Sequence, residues 1–150
     1  MPKKHLLKIL IVEDNPSNHR LFTEAFAAAG FAVVISPYID EKFLDDVVGI
    51  QPDIISMDIM IAGPGIEVPD AGLVAIKTLK ADERTRDIPV MVLTSFFEET
   101  KVERAKAEGA VDFINLQGHA MSTIPKIFKR YLEDPKEYLP VHPVFREKQD

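Results

Sequence analysis

Three short apolar runs in this chain finish in residues able to do chemistry. Ile9-Leu10-Ile11-Val12 ends in Glu13-Asp14, Ile54-Ile55-Ser56-Met57 runs into Asp58, and Val90-Met91-Val92-Leu93 ends in Thr94-Ser95. A carboxylate at the end of a buried strand is costly unless it is paired, metal-bound or reactive. Taken singly, Asp14 reads as the cap of a following helix. The recurrence of polar groups at several strand ends points instead to one shared acidic pocket. Three carboxylates in a small space repel one another and call for a counter-ion. Oxygen donors of this kind suit Mg²⁺, which keeps several waters and recruits a phosphate oxygen. A carboxylate can also attack phosphorus to give an acyl phosphate. A hydroxyl such as that of Thr94 can then hydrogen-bond a phosphoryl oxygen, so the chemistry these groups allow is phosphoryl transfer.

The elements that must position these groups follow from the apolar periodicity. Residues 6–12 predict a first strand, apolar almost throughout and therefore covered on both faces. Asn15 and Pro16 start a helix with Leu21, Phe22, Ala25, Phe26 and Ala29 on one face, ended by Gly30. Residues 31–36 predict a second strand and 40–48 a second helix, closed by Gly49 and Pro52. The third strand covers 53–57 and leads into Asp58. Residues 61–69 hold two glycines and two prolines and are too irregular for a strand. Asp70 is expected to cap a third helix carrying Leu73, Ile76 and Leu79. A fourth strand covers 90–93. The helix expected over 98–108 is weakly apolar, with few buried contacts and low local stability. Residues 111–115 predict a fifth strand and 121–133 a fifth helix with a strong apolar stripe. Strands alternating with helices imply an α/β fold with one parallel sheet. Five strands suit the flavodoxin-like order 2-1-3-4-5, a (βα)5 three-layer sandwich whose ligand mouth lies where strands 1 and 3 end. Those ends carry Glu13, Asp14 and Asp58, with Thr94 alongside.

Composition narrows the function classes. The 150 residues are 46% apolar and 28% charged, as in one globular domain large enough to bury a core. The net charge of −6 argues against a nucleic-acid surface. With no cysteine, disulfides, thiolate metal sites and cysteine nucleophiles are excluded. No apolar run approaches the roughly 18 residues a membrane span needs, and the basic N-terminus is not a signal peptide, so a cytoplasmic location is expected.

Four fragments in order resemble the receiver domain of two-component response regulators, of the chemotaxis-type single-domain kind, across residues 7–133. They are Ile9-Leu10-Ile11-Val12-Glu13-Asp14-Asn15, Pro52-Asp53-Ile54-Ile55-Ser56-Met57-Asp58-Ile59-Met60, Asp87-Ile88-Pro89-Val90-Met91-Val92-Leu93-Thr94-Ser95 and Gly109-Ala110-Val111-Asp112-Phe113-Ile114. The resemblance implies that Asp58 is the phosphoacceptor. It implies that Asp14 binds Mg²⁺ with Glu13 beside it, acting through water, and that Asp58 and the Met60 carbonyl complete the metal set. Thr94 takes the role of the switch hydroxyl. Phe113 matches the aromatic switch position, its alternative being a plain core aromatic. The implied partners are a histidine kinase or histidine phosphotransfer protein and a downstream protein, with a homodimer possible and no nucleic acid or membrane. The chain is then not an enzyme beyond phosphorylation and dephosphorylation of its own aspartate.

This chain departs from the family pattern in two places. The position of the family's lysine after strand 5 is Leu116, and that of the following proline is Gln117. The stretch 107–125 has no lysine or arginine, and His119 is the nearby base. Along an extended segment Asn115 and Gln117 would point away from the face Leu116 takes. The connection from Asp58 to Gly72 is also about six residues longer than the usual form, with Ala62 where a proline is expected. Domain organisation is read as a receiver over 1–133 and a tail over 134–150, docked or flexible. Three prolines keep that tail from forming one helix, while Tyr138, Leu139, Val141, Val144 and Phe145 could dock. The alternative function is a phosphorylation-independent pseudo-receiver acting as a protein-binding module. A phosphatase or nucleotide-binding enzyme of similar fold is disfavoured, since no Gly-rich phosphate loop or Asp-x-Asp pair follows strand 1.

Overall fold

In the computed structural model, which describes residues 6–61, 70–95 and 98–146, parallel strands and helices alternate along the chain. The elements are β1 (Lys8–Val12), α1 (Pro16–Ala28), β2 (Ala32–Ser36), α2 (Phe43–Ile50), β3 (Ile54–Met57), α3 (Ala71–Ala81), β4 (Val90–Thr94), α4 (Glu99–Glu108), β5 (Asp112–Asn115) and α5 (Ile124–Glu133). The strands form one sheet in the order β2-β1-β3-β4-β5, the flavodoxin-like arrangement. Alternate residues of each strand enter opposite layers, as the strand period of two requires. Leu10, Val12, Ile55, Met57, Val92 and Phe113 pack with residues of α2, α3 and α4. Ile9, Ile11, Ile54, Met91, Leu93 and Ile114 pack with Phe22 and Phe26 of α1 and Ile127 and Phe128 of α5.

Local chemistry sets the element ends. The Asn15 side chain accepts from the Ser17 N–H at 3.0 Å, and Pro16 occupies the first turn of α1. Gly30 follows the α1 C-cap with φ +99°, a conformation few side chains tolerate. Leu21 departs from the expected apolar face and is exposed, leaving Phe22 and Phe26 to anchor α1. The second helix starts later than expected, at Phe43. It runs through Gly49 and ends where Gln51 turns left-handed at φ +53° and donates to the Val47 carbonyl. The fifth helix begins at Ile124, because 121–123 form a turn.

Asp70 does not cap α3 with its side chain. Its backbone is left-handed, at φ +61°, and its carboxylate instead receives Lys101 Nζ at 2.7 Å and Arg104 Nη1 at 3.3 Å. The thinly apolar α4, with Val102 and Ala105 buried, is thus pinned to the start of α3 by charge.

Residues 134–146 lie against β5, the last strand of the sheet, between α4 and α5. Tyr138 and Val141 contribute to the α1–α5 layer, and Val144 and Phe145 to the α2–α4 layer. Leu139, grouped with the docking residues on sequence grounds, points to solvent. The Gly/Pro-rich stretch 62–69, with Ala62, and the terminal residues 1–5 and 147–150 lie outside the described residues.

Candidate functional site

The parallel sheet brings the ends of β1, β3 and β4 to one mouth. Val12 is in register with Met57, so the residues just beyond them, Glu13 and Asp58, emerge side by side. One carboxylate oxygen from each of Glu13, Asp14 and Asp58 lies within 4.8 Å of the others. Thr94, buried at the end of β4, donates its hydroxyl to Asp58 Oδ1 at 2.9 Å. The Met60 N–H donates to the same oxygen at 3.2 Å, closing the turn after β3 and placing the Met60 backbone at the mouth. Glu13 is held by Asn18, whose Nδ2 donates to Glu13 Oε1 at 3.0 Å, and by a hydrogen bond to Asp58. His19 Nε2 sits against the Glu13 carbonyl.

The electrostatics follow from that packing. Glu13 is only 3% exposed, and burial, then its hydrogen bond to Asp58 and the Asp58 charge, push its carboxyl up to about 8. At neutral pH burial therefore favours the neutral form of Glu13. The described partners of Asp58 are Thr94, the Met60 N–H and Glu13, and none is a cation. A converging set of hard oxygen donors, one pushed towards its neutral form by burial, is the donor chemistry a small divalent cation satisfies.

The mouth depends on a close approach that side-chain chemistry does not reveal. A Cβ on Gly72 would stand 2.0 Å from the Asp58 carbonyl oxygen, and the Gly72 N–H donates to the Ile59 carbonyl at 3.1 Å. The start of α3 thus lies directly on the backbone that carries Asp58.

The remaining expected residues fall elsewhere. Phe113 is buried in the α2–α4 layer, its ring 6.0 Å from that of His142. Leu116 is not in an extended segment: Leu116–Gly118 form a 3-10 turn capped by the Asn115 side chain on the Gln117 N–H at 2.9 Å. The expected alternation of side chains therefore lapses, and Leu116 packs into the α1–α5 layer. The His119 ring meets the Asn115 carbonyl at 3.0 Å.

Sequence reasoning missed one further carboxylate. Asp112 is fully buried and accepts from its neighbour Phe113 N–H (2.8 Å), Tyr138 Oη (2.5 Å), Val141 N–H (2.6 Å) and His142 N–H (3.0 Å). The available signal was an acid inside the apolar fragment 109–114, which demands donors from somewhere.

Fold and mouth together define a class, and comparison with known proteins agrees: the response regulator receiver domain model matches residues 9–124, and the chain belongs to that family. Within it, the chain is similar to the polar-differentiation response regulator DivK of Brucella ovis, 34% identical over 132 residues, covering 87% of this chain and 94% of the relative. The DivK of Brucella anthropi is 33% identical over 140 residues, covering 93% and 98%. Solved structures of like fold include the chemotaxis protein CheY4 of Vibrio cholerae, at TM-score 0.70 and 21% identity over 84% of this chain and 98% of that one. Another is the signal receiver domain of a DNA-binding response regulator from Colwellia psychrerythraea, at TM-score 0.70 and 21% identity over 85% and 99%. The chain is thus the receiver domain of a two-component response regulator. No helix among the described residues is long and apolar enough to cross a membrane.

Proposed function

We propose that this chain is a single-domain response regulator that accepts a phosphoryl group on Asp58. The donor is a histidine kinase or histidine phosphotransfer protein, and the output is a protein contact in the cytoplasm. The observation that carries this reading is the Thr94 hydroxyl donated to Asp58 Oδ1 inside the three-carboxylate mouth. An Asp58 oxygen attacks phosphorus, the bond from phosphorus to the donor's imidazole nitrogen breaks, and that nitrogen keeps the electron pair. Asp14, Asp58, the Met60 carbonyl and Glu13 would hold Mg²⁺, which when bound neutralises the mouth and draws in a phosphoryl oxygen. In this reading Thr94, which donates to Asp58, moves its hydrogen bond to the phosphoryl group, and Asn18 orients Glu13. The chemistry is confined to the chain's own aspartate, so no separate substrate is turned over.

One observation favours a second reading, a pseudo-receiver that binds partners without phosphorylation. The residue at the family's lysine position, Leu116, packs into the α1–α5 layer and supplies no charge. Incubation with acetyl phosphate and Mg²⁺ followed by intact mass separates the two. One added phosphoryl group, lost in Asp58→Asn, is the expected result. An unlabelled wild type, under conditions that label a lysine-bearing receiver, would establish the pseudo-receiver.

A further inference from the structure

We propose that segment 134–146 is an autoinhibitory strap: tied to Asp112 and stacked on Phe113, it holds the α4–β5 face in the arrangement of the unphosphorylated chain, and a phosphoryl group on Asp58 loosens it. The proposal rests on the phosphoacceptor reading above.

The strap is built rather than incidental. Its attachment is a buried carboxylate at the start of β5, which takes the Tyr138 hydroxyl and the Val141 and His142 N–H groups. From there the His142 ring meets Phe113 edge-on at 6.0 Å, and Phe145 meets His142 in turn at 6.2 Å. Lys106 in the last turn of α4 donates to the Val144 carbonyl at 2.9 Å, so the strap also grips the end of that helix.

The register of the sheet connects the strap to Asp58. Val92 lies beside Phe113 and Thr94 beside Asn115. Val92 and Thr94 are two residues apart and share a face, so Thr94 and Phe113 face the same layer on adjoining strands. At present Thr94 donates to Asp58 Oδ1. Phosphorylation turns one carboxylate oxygen into the bridging oxygen of an acyl phosphate and sets charged acceptors further out, so the hydroxyl's stronger partner becomes a phosphoryl oxygen. In a layer packed to crystal density, a side chain drawn to the mouth leaves space that its neighbours fill. Phe113 is a large buried ring on the adjoining strand, and following Thr94 takes it away from His142. The ring contact thus belongs to one state and the phosphoryl contact to the other, and each opposes the other by the same factor.

The test uses the full chain and beryllofluoride with Mg²⁺, an acyl-phosphate mimic. Its affinity is measured for wild type, Tyr138→Phe and His142→Ala, and amide hydrogen exchange is followed at Val141 and His142 in wild type. The mimic is expected to speed exchange at both amides about five-fold or more, and both variants should bind it tighter by a similar factor. Tight binding by the variants with none by wild type also supports the strap, as a block. If wild type binds the mimic while exchange is unchanged or slower and the variants show equal affinity, the strap is overturned and the phosphoacceptor reading stands. If no chain binds it, that reading falls and the coupling with it. The exchange measurement needs no variant, so a substitution that fails to fold leaves the test intact.

Discussion

Two buried carboxylate sites stand at different corners of the same sheet, and they are solved in opposite ways. Asp112, at the start of β5, takes four donors and leaves no demand for an ion. Glu13 and Asp58, beyond the ends of β1 and β3, receive fewer donors each, and burial, then the contact with Asp58, keeps Glu13 protonated well above the ordinary carboxylate range. The difference separates structure from chemistry. An acid whose lone pairs are filled by neutral N–H and O–H groups is a fastener. A cluster of acids short of donors is a site that waits for charge.

The comparison breaks most visibly if the fastener is altered. Asp112→Asn replaces one acceptor oxygen with an amide that cannot receive the donors aimed at it. It should cost about 3 kcal/mol in denaturant unfolding. A loss below about 1 kcal/mol would mean that the tail contributes little to holding the domain together.

Gly72→Ala tests the mouth's backbone. With the new Cβ only 2.0 Å from the Asp58 carbonyl oxygen, α3 must shift, at about 2 kcal/mol or more. Mg²⁺-dependent stabilisation should weaken with it. Full retention of both would show that α3 is not fixed against Asp58.

The protonated pair makes the mouth pH-sensitive. The Glu13 carboxyl is raised from its ordinary 4.5 to about 8. Below about 4.5 its contribution to stability is complete. As pH climbs towards 8 the unfolded chain has already released the proton that the folded chain still holds, so stability falls. Without Mg²⁺ the melting temperature should therefore drop across that window. Millimolar Mg²⁺ should restore it most at the alkaline end, where no proton competes. Glu13→Gln should flatten the profile. A wild-type profile that is already flat would contradict the burial of Glu13 against Asp58.

Leu116→Lys asks whether the missing cation can simply be returned. Because the 3-10 turn sends Leu116 into the α1–α5 layer, the substitution should cost about 1 kcal/mol of apolar burial. Labelling by acetyl phosphate should stay unchanged. A rise in labelling would show that the turn unwinds to present the ammonium to Asp58.

The smallest change in stability is expected at the phosphoacceptor itself. Asp58→Asn removes a carboxylate charge from the acidic mouth and should leave unfolding free energy level or raise it by less than about 1 kcal/mol, while abolishing labelling. A variant as unstable as Asp112→Asn would make Asp58 a fastener too, and the contrast between the corners would vanish.

Much of this was legible in the sequence. Apolar runs ended by polar groups marked the strands, the likeness to a known fold supplied their order, and parallel strands in the order 2-1-3-4-5 must bring Glu13, Asp14, Asp58 and Thr94 to one mouth. The strands and their parallel pairing are consequences of apolar patterning and of crossover connections, both written in local composition. What the sequence left open depended on which distant groups meet. Asp70 read as a helix cap, but Lys101 and Arg104 claim its carboxylate from 31 and 34 residues away. Leu116 read as part of an extended segment, whereas a side-chain cap from Asn115 curls it into a 3-10 turn and the core behind receives it. Asp112 passed for one more residue of an apolar fragment, because its donors arrive from a tail 26 to 30 residues later. Periodicity encodes the burial of a face, but the partner that satisfies a buried charge is chosen by the packing of the whole chain, and only the tertiary structure decides it.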